Sequence, residues 1–384
     1  MPESSNSSEL EGLSLLVVEQ SGVLAKAAPR RLIRSSASEE TNLLFSVHTQ
    51  EIGLTSKGAA HEIGLRLANT IFVNGRETTL FGSRWLWDNA SNAYILDNAV
   101  ELTSCAITTT SQAVDAQLDL PLHPVTERRR VITSMGNILR QLAKSTDATS
   151  SEPQPASSEL EKELPRYIAE HNIMDQRVSV WALVENPDLE VSDPGSSTRD
   201  RLIQSLRQGG KLHRVMSGGG GWGKKQGLLS LDPEVSFSGT AKQDELVALS
   251  RLFDPHTTHL DTPPSIDKGI AVDDLSMLSQ VATAGDYIQF FVSVEPTQTQ
   301  SNNSRKPDSQ EETVSYHFGM VTDSMELQTH ETNEDSRKII CVPRTFGALS
   351  EKAIAYSQPV ERGTVSETCT KLDVPGSRVA LEYV

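Results

Sequence analysis

The sequence predicts an α+β fold in which mixed or mainly antiparallel sheets and packed helices form two lobes. Short apolar runs rich in β-branched residues predict strands. Apolar residues that recur at helical spacing after a capping motif predict helices. A third observation is a polar stretch rich in serine near residue 150, which is typical of a linker. We therefore predict a mostly disordered or irregular segment (1–40), a β-rich lobe ending in a helix (41–145), a linker (146–157) and an α+β lobe carrying a glycine-rich loop (158–384).

The first lobe is predicted to consist mainly of strands. Within residues 69–81, two strand-like runs flank Asn74 and Gly75, which supply the positive φ angles of a tight hairpin turn. Trp85 and Trp87 follow, and residues two apart in a strand share a face. Their rings are therefore expected on one surface, in core packing or, alternatively, as a stacking platform. Further strands are predicted at residues 13–18, 42–48 and 105–110.

The helix that ends the first lobe is predicted at residues 126–144. Its apolar face would consist of residues at helical spacing: Val131, Ile132, Met135, Ile138, Leu139 and Leu142. Gly136 weakens this helix slightly or permits close packing. The basic run Arg128, Arg129 and Arg130 is expected to be its solvated start.

The second lobe is predicted to combine helices and strands. Ser158 with Glu161, and Ser197 with Asp200, have the spacing of capping boxes, so a helix is expected after each. The second of these helices should end at residues 209–210, where two glycines follow. Other helices are predicted at residues 240–253, 273–282 and 349–356, and strands at 178–184, 212–216, 286–295, 315–321, 338–342 and 378–383. Residues 228–231 are expected to form at most a short element, because Gly227 and Pro233 interrupt the chain on either side.

Charge and cysteine content limit the classes of function. The chain has 51 acidic and 35 basic residues, a formal net charge of −16, which argues against general binding to nucleic acid. Cys105, Cys341 and Cys369 have no metal or disulfide spacing, which is typical of a reducing, intracellular compartment. No apolar run is long enough to span a membrane, and residues 1–12 lack a secretory signal. We expect a soluble cytoplasmic protein, with mitochondrial and nuclear locations as alternatives.

The most distinctive stretch is the glycine-rich loop, residues 218–225. Four consecutive glycines and two lysines combine backbone freedom with positive charge, and peptide N–H groups of such a loop can form an anion-binding nest. The spacing also fits GxxxxGK, but Lys225 stands where a phosphate loop needs Ser or Thr to hold magnesium, and no helix is predicted to follow. The predicted ligand-binding residues are His213, Ser217, Gly218, Gly219, Gly220, Gly221, Trp222, Gly223, Lys224 and Lys225.

Four residues could carry chemistry. His256 and His259 could share a metal only in a helical turn, which Pro255 disfavours, so a hydrated loop without metal is expected. Cys341 is expected to be buried in a strand. His213 is where acid–base chemistry is expected if the chain is an enzyme, and no cofactor is identified.

The sequence leaves two functions open. In the first, the glycine-rich loop and its lysines bind an anionic group on a small molecule or a protein partner. In the second, the chain is a non-catalytic assembly or interaction protein, and the loop docks against another macromolecule. A pocket with convergent polar groups beside the loop would favour an enzyme, and an exposed flat patch around Trp222 would favour docking.

Overall fold

Strands dominate the part of the chain that is described. The computed structural model describes residues 13–28, 40–49, 60–69, 75, 78–111, 114–146, 152–173, 178–189, 197–218, 227–235, 237, 246–254, 280–293, 313–321, 341–359 and 367–383. Strands account for 55% of these residues and helices for 13%. The α-helices in these ranges are α1 (Ser158–Glu170) and α2 (Thr198–Arg207), and short 3-10 helices lie at Gln20–Gly22 and Leu249–Phe253.

The described strands form three sheets. In chain order they are β1 (Val23–Ala27), β2 (Asn42–Thr49), β3 (Ala60–Arg66), β4 (Leu80–Asp88), β5 (Ala93–Ser111), β6 (Val114–Asp119), β7 (Leu122–Pro124), β8 (Arg129–Met135), β9 (Ile138–Ala143), β10 (Pro153–Pro155), β11 (Ser179–Glu185), β12 (Lys211–Gly218), β13 (Leu229–Leu231), β14 (Val247–Ala248), β15 (Tyr287–Ser293), β16 (Val314–Met320), β17 (Thr345–Ser350), β18 (Ala353–Pro359), β19 (Glu367–Leu372) and β20 (Arg378–Tyr383).

The first sheet contains a hairpin that extends beyond it. Its strand order is β14–β1–β5–β2–β3–β18–β19, and β4 pairs with β5. The long strand β5 pairs with β4 up to Leu102, and with β1 and β2 from Leu102 to Ser111. Strands β2 and β5 are parallel, and the other pairs of this sheet are antiparallel. The β4–β5 hairpin is therefore joined to the sheet only through its base.

Six strands of the second sheet close into a barrel. The ring runs β8–β9–β13–β12–β11–β15 and back to β8, and every pair in it is antiparallel. Even-numbered residues of β11, such as Ala182 and Val184, belong to the apolar cluster of the barrel, whereas Trp181 and Leu183 belong to the largest core cluster. This alternation follows from the two-residue period of a strand. The strand β11 thus separates two cores.

The largest core joins all three sheets. The third sheet has the order β17–β16–β20–β6, in which β16 and β17 are parallel. Its Phe318 packs on Phe45 of the first sheet, with ring centroids 4.8 Å apart. Trp181 of the barrel belongs to the same core, as do Leu202 and Leu206 of α2. Strands from both sides of residue 150 share each sheet, and the predicted domain boundaries stay a prediction.

The predicted α+β class is wrong, because the described residues form a mainly β protein with few helices. The largest error is the helix at residues 126–144, which is observed as the hairpin of β8 and β9. Gly136 has a φ of 59° at the start of the turn, the position at which a type II′ hairpin turn requires glycine. Register shifts between β8 and β9 also spread the apolar residues unevenly along the hairpin. The apolar residues of the two strands and their turn therefore have separations in sequence that resemble those of a helix, although no helix forms.

Several smaller predictions are also corrected. Residues 349–356, predicted as a helix, belong to β17 and β18, and Ser350 Oγ accepts the backbone N–H groups of Lys352 and Ala353 in the bend between them. Residues 13–18 are in no strand, and Cys341 is exposed and in no strand. Arg129 and Arg130 begin β8 and Arg128 directly precedes it; Arg128 pairs with buried Glu185 and Arg129 with Glu159. They are therefore not a solvated helix start.

Other predictions are confirmed at the level of the element. Strands occur at the predicted residues 42–48, 178–184, 212–216, 286–295, 315–321 and 378–383, with ends that differ by a few residues, and 105–110 lies within β5, which begins twelve residues earlier at Ala93. Both capped helices form, and the backbone N–H of Asp200 donates to Ser197 Oγ at 3.2 Å. At α1 the cap is Ser157 in place of Ser158, and its hydroxyl bonds Glu161 at 2.6 Å. The predicted helix at 240–253 is wrong in its described part, where β14 (Val247–Ala248) is followed by the 3-10 helix Leu249–Phe253. Most of 273–282 and of the 69–81 hairpin lies outside the described residues.

Candidate functional site

The largest exposed apolar surface in the described residues is on the β4–β5 hairpin. We call residues 83–88 of β4 and 93–98 of β5 the aromatic ribbon. Six of its large apolar side chains are between 47% and 66% exposed: Trp85, Leu86, Trp87, Tyr94, Ile95 and Leu96. Because three consecutive residues on each strand are exposed, both faces of the ribbon meet solvent. The prediction that Trp85 and Trp87 pack in the core is therefore wrong.

The ribbon has a regular geometry that its sequence explains. Trp85 lies opposite Leu96, Leu86 opposite Ile95, and Trp87 opposite Tyr94. The rings of Trp87 and Tyr94 meet edge to face with centroids 5.1 Å apart. This pairing places the two tryptophans, Tyr94 and Leu96 on one face, and Leu86 and Ile95 on the other.

Polar residues form the turn at the tip of the ribbon. The Asp88 carboxylate accepts the backbone N–H of Ala90 at 3.2 Å and of Ser91 at 2.9 Å. Hydrogen bonds from Ser91 and Ala90 lower the pKa of Asp88. Asn92 has a φ of 51°, in the left-handed region that asparagine tolerates. The tip is therefore an ordered polar turn, and the apolar side chains lie behind it.

The base of the ribbon is anchored to the first sheet. A Cβ atom at Gly82 would lie 2.9 Å from Leu249 Cδ1, so glycine permits the close approach of the 3-10 helix at 249–253. Arg84 Nε donates to Asp97 Oδ2 at 2.6 Å, beside a register shift between Arg84 and Trp85. The apolar part of the ribbon thus begins where packing against the body ends.

The glycine-rich loop connects two barrel strands, and only its first residue is described. Ser217 and Gly218 are exposed at the end of β12, whereas Gly219, Gly220, Gly221, Trp222, Gly223, Lys224 and Lys225 lie outside the described residues. A Cβ atom at Gly218 would lie 2.2 Å from Leu229 Cδ2, so this glycine permits the contact between β12 and β13. The anion-binding assignment of the loop stays a prediction.

His213 lies inside the barrel and not at the loop. It pairs in register with Ala182, so its ring faces the barrel interior, and its Nδ1 donates to the Asp232 carbonyl at 2.8 Å. Its Nε2 is buried with no hydrogen-bond partner among the described atoms, and burial lowers the pKa of the imidazole. Gly218 is five residue steps along β12 from His213, a distance of about 16 Å. The structure therefore does not bring these two predicted site residues together.

A buried ionic cluster near His213 was missed by sequence reasoning. Lys371 Nζ donates to Asp232 Oδ2 at 2.6 Å and to Glu234 Oε2 at 3.0 Å. Arg66 donates to both oxygens of Glu234, at 3.1 and 2.7 Å. Burial opposes ionisation of Glu234, but the hydrogen bonds from Arg66 and Lys371 outweigh it and lower the pKa. Each member has a partner of opposite charge, which is typical of a structural clamp.

The remaining predicted features can be located only in part. His256 and His259 lie outside the described residues. Among the described helices, none is long and apolar enough to cross a membrane. Comparison with known proteins finds no matching family model, no similar curated protein and no similar solved structure. The functional argument therefore depends on the ribbon, the loop and the ionic cluster themselves.

Proposed function

We propose that the chain is a non-catalytic assembly or interaction protein that docks on a partner protein through the aromatic ribbon. The observation that carries this proposal is the exposure of six large apolar side chains on one anchored hairpin. Three of the six are tryptophan or tyrosine, which are enriched at protein interfaces. Such interfaces use rigid, amphipathic contact residues, and the hairpin provides them because it is anchored to the sheet and carries two tryptophans and a tyrosine.

The exposed area is large enough for an interface. An aromatic side chain offers about 150–250 Å², and the six ribbon side chains are about half exposed. The three aromatic side chains therefore present roughly 300 Å², and Leu86, Ile95 and Leu96 add to this area. The ribbon thus reaches the size range of the largest patches found on monomeric proteins. A standard interface buries about 800 Å² on each partner, so the ribbon with its polar rim approaches that size.

Charge and the polar tip favour protein over lipid or nucleic acid. Arg84 is the one basic residue of the ribbon, and it already pairs with Asp97. Nucleic-acid binding requires several cations, which the ribbon lacks. Entry into a bilayer would carry Asp88 and the polar turn at 89–92 into the membrane first, at a high cost. The ribbon therefore suits a protein surface.

The glycine-rich loop supports a second, separate proposal. Ser217 and Gly218 are exposed where β12 ends, and two lysines follow within seven positions. An anionic ligand or partner group bound there would be recognised by backbone N–H groups and the two ammonium groups. This proposal is independent of the ribbon and has its own test.

The ribbon proposal is tested by a paired substitution with a matched control. Trp85→Ser with Trp87→Ser removes the aromatic anchors, and Val342→Ser removes an apolar side chain that is also exposed but does not belong to the ribbon. Tagged parent, ribbon variant and control are used to capture partners from the source cells, and melting temperatures verify folding. Partners should remain bound to the parent and control and be lost from the ribbon variant. Retention of every partner by the folded ribbon variant would refute the proposal.

A further inference from the structure

We infer that the protein bound by the aromatic ribbon is a second copy of this chain, paired antiparallel along the outer edge of β4. This inference rests on the proposed function, since it names the partner of the same surface. Its basis is the order of residues in β4: Arg84, Trp85, Leu86, Trp87 and Asp88. This order is complementary to itself when it is read in the opposite direction.

The outer edge of β4 is available for strand pairing. Within the described chain, β4 pairs with β5 alone, and the other edge of β4 has no paired strand. An unpaired edge presents backbone N–H and C=O groups that can pair with another strand. Trp85, Leu86 and Trp87 are each about half exposed, so side chains on both faces of β4 are accessible to a second strand.

Side-chain chemistry selects one register. A twofold axis through Leu86 places Leu86 opposite its own copy, Trp85 opposite Trp87 of the second copy, and Arg84 opposite its Asp88. Directly opposed residues on antiparallel strands have adjacent side chains, so aromatic and opposite-charge pairs are favourable. The aromatic pair and the charge pair each occur twice because the interface is isologous, and the Leu86 pair on the axis occurs once. A register shifted by two residues puts Asp88 opposite Leu86 or Gly82 and loses both charge pairs.

The charged residues at the two ends have capacity for these contacts. Arg84 uses Nε and Nη2 to bind Asp97, and Nη1 takes no part in that pair. Asp88 accepts two backbone N–H groups at the turn, while a carboxylate has about four acceptor positions. Arg84 can therefore bridge Asp97 of its own chain and Asp88 of the other. The formal net charge of −16 on each copy opposes association in general. The ribbon adds little to this repulsion, because Arg84, Asp88 and Asp97 are its charged residues and their net charge is −1.

Disulfide trapping at the axis tests the register. Cα atoms of directly opposed antiparallel residues are about 4.5–5.5 Å apart, within the range that a disulfide spans. Leu86→Cys should therefore give a disulfide-linked dimer on mild oxidation of the purified full chain. Cys341→Ser is included in every variant because Cys341 is exposed. Ile95→Cys is the matched control, since Ile95 lies opposite Leu86 with similar exposure but about 14 Å from its copy across three strand spacings.

Molecular mass in solution gives an independent measurement. The parent should have twice the mass of one chain by light scattering, and Leu86→Glu should halve it because two carboxylates would face each other at the axis. Ile95→Glu, with the same charge one strand away, should remain dimeric. Unchanged melting transitions verify that these variants fold.

The possible outcomes separate this inference from the proposed function. A monomeric parent without Leu86→Cys cross-linking would overturn the second copy as partner. If Trp85→Ser with Trp87→Ser then still loses a captured protein, the ribbon docks on a different protein; if it loses none, both proposals fail. A dimer in which Leu86→Cys and Ile95→Cys cross-link equally would overturn the edge pairing.

Discussion

Replacement of Lys371 by methionine should destabilise the protein by about 3 kcal/mol. The side chain of Lys371 is only 10% exposed, and it is held by Asp232 and Glu234 at 2.6 and 3.0 Å. Removing one partner of a buried ion pair costs about 3–5 kcal/mol, because the opposite charge is left uncompensated. Asp232 and Glu234 are 19% and 33% exposed, so water can solvate them partly, and the lower end of that range applies.

The matched control is Lys162→Met. Lys162 contacts Glu163 at 3.1 Å, but its side chain is 79% exposed, and exposed pairs contribute about 0–1 kcal/mol. Urea unfolding of both variants and the parent gives the free energies of unfolding. A Lys371→Met variant within about 1 kcal/mol of the parent would refute the view that this cluster is a clamp.

The pH dependence of the same variant gives a second measure. The pKa of Glu234 is lowered below its ordinary value of 4.5, so its contribution is complete above that pH and is lost as pH falls through the depressed folded-state value. Burial opposes the charge of Lys371, but its hydrogen bonds and nearby carboxylates raise its pKa, so its contribution persists until alkaline pH. The difference in stability between parent and Lys371→Met should therefore be largest near neutral pH and shrink in acid.

Two further predictions concern the barrel and its loop. Burial lowers the pKa of His213, so the unfolded chain binds the proton more strongly and stability should fall as pH drops below about 6.5. In His213→Gln the melting temperature should fall less as the pH drops, because protonation of His213 no longer contributes to the loss of stability. A melting temperature with the same pH dependence as the parent would contradict this role of His213. If residues 218–225 form an anion nest, millimolar phosphate or sulfate should raise the melting temperature of the parent, and Lys224→Ala with Lys225→Ala should abolish the increase while leaving the fold intact. No increase in the parent would exclude the nest.

Local sequence signals predicted individual strands and helix caps better than they predicted the architecture. Residues 378–383 form a strand as predicted, because their alternating apolar side chains pack on one side of a sheet. The Ser197 cap was predictable because its partner is three residues away. The segment 126–144 was misjudged because its apolar residues come from two strands, and the role of Gly136 as a turn residue depends on the strand pairing itself.

The candidate sites show the same limit. The spacing of Trp85 and Trp87 predicts that their rings share a face of a strand. Their exposure depends on how far the hairpin extends beyond the first sheet, and no local sequence pattern encodes that extent. The cluster of Lys371 with Asp232 and Glu234 joins residues that are distant in sequence, and single charged residues in strands give no sign of it. The residues of the glycine-rich loop were easy to identify from composition, because glycine runs are a local feature.

The pairing of β3 with β18 has a consequence for synthesis on the ribosome. Arg66 of β3 lies opposite Ala353 of β18, so one edge of β3 gains its neighbour only when the end of the chain emerges. Elongation at about 5–20 residues per second makes that interval roughly 15–60 s. During this time Ile63 and Leu65, which end fully buried, lie on an unpaired edge that can pair with another nascent chain. Neighbouring ribosomes on one message would therefore present matching edges, and chaperone binding to the first 66 residues would protect the yield of folded protein.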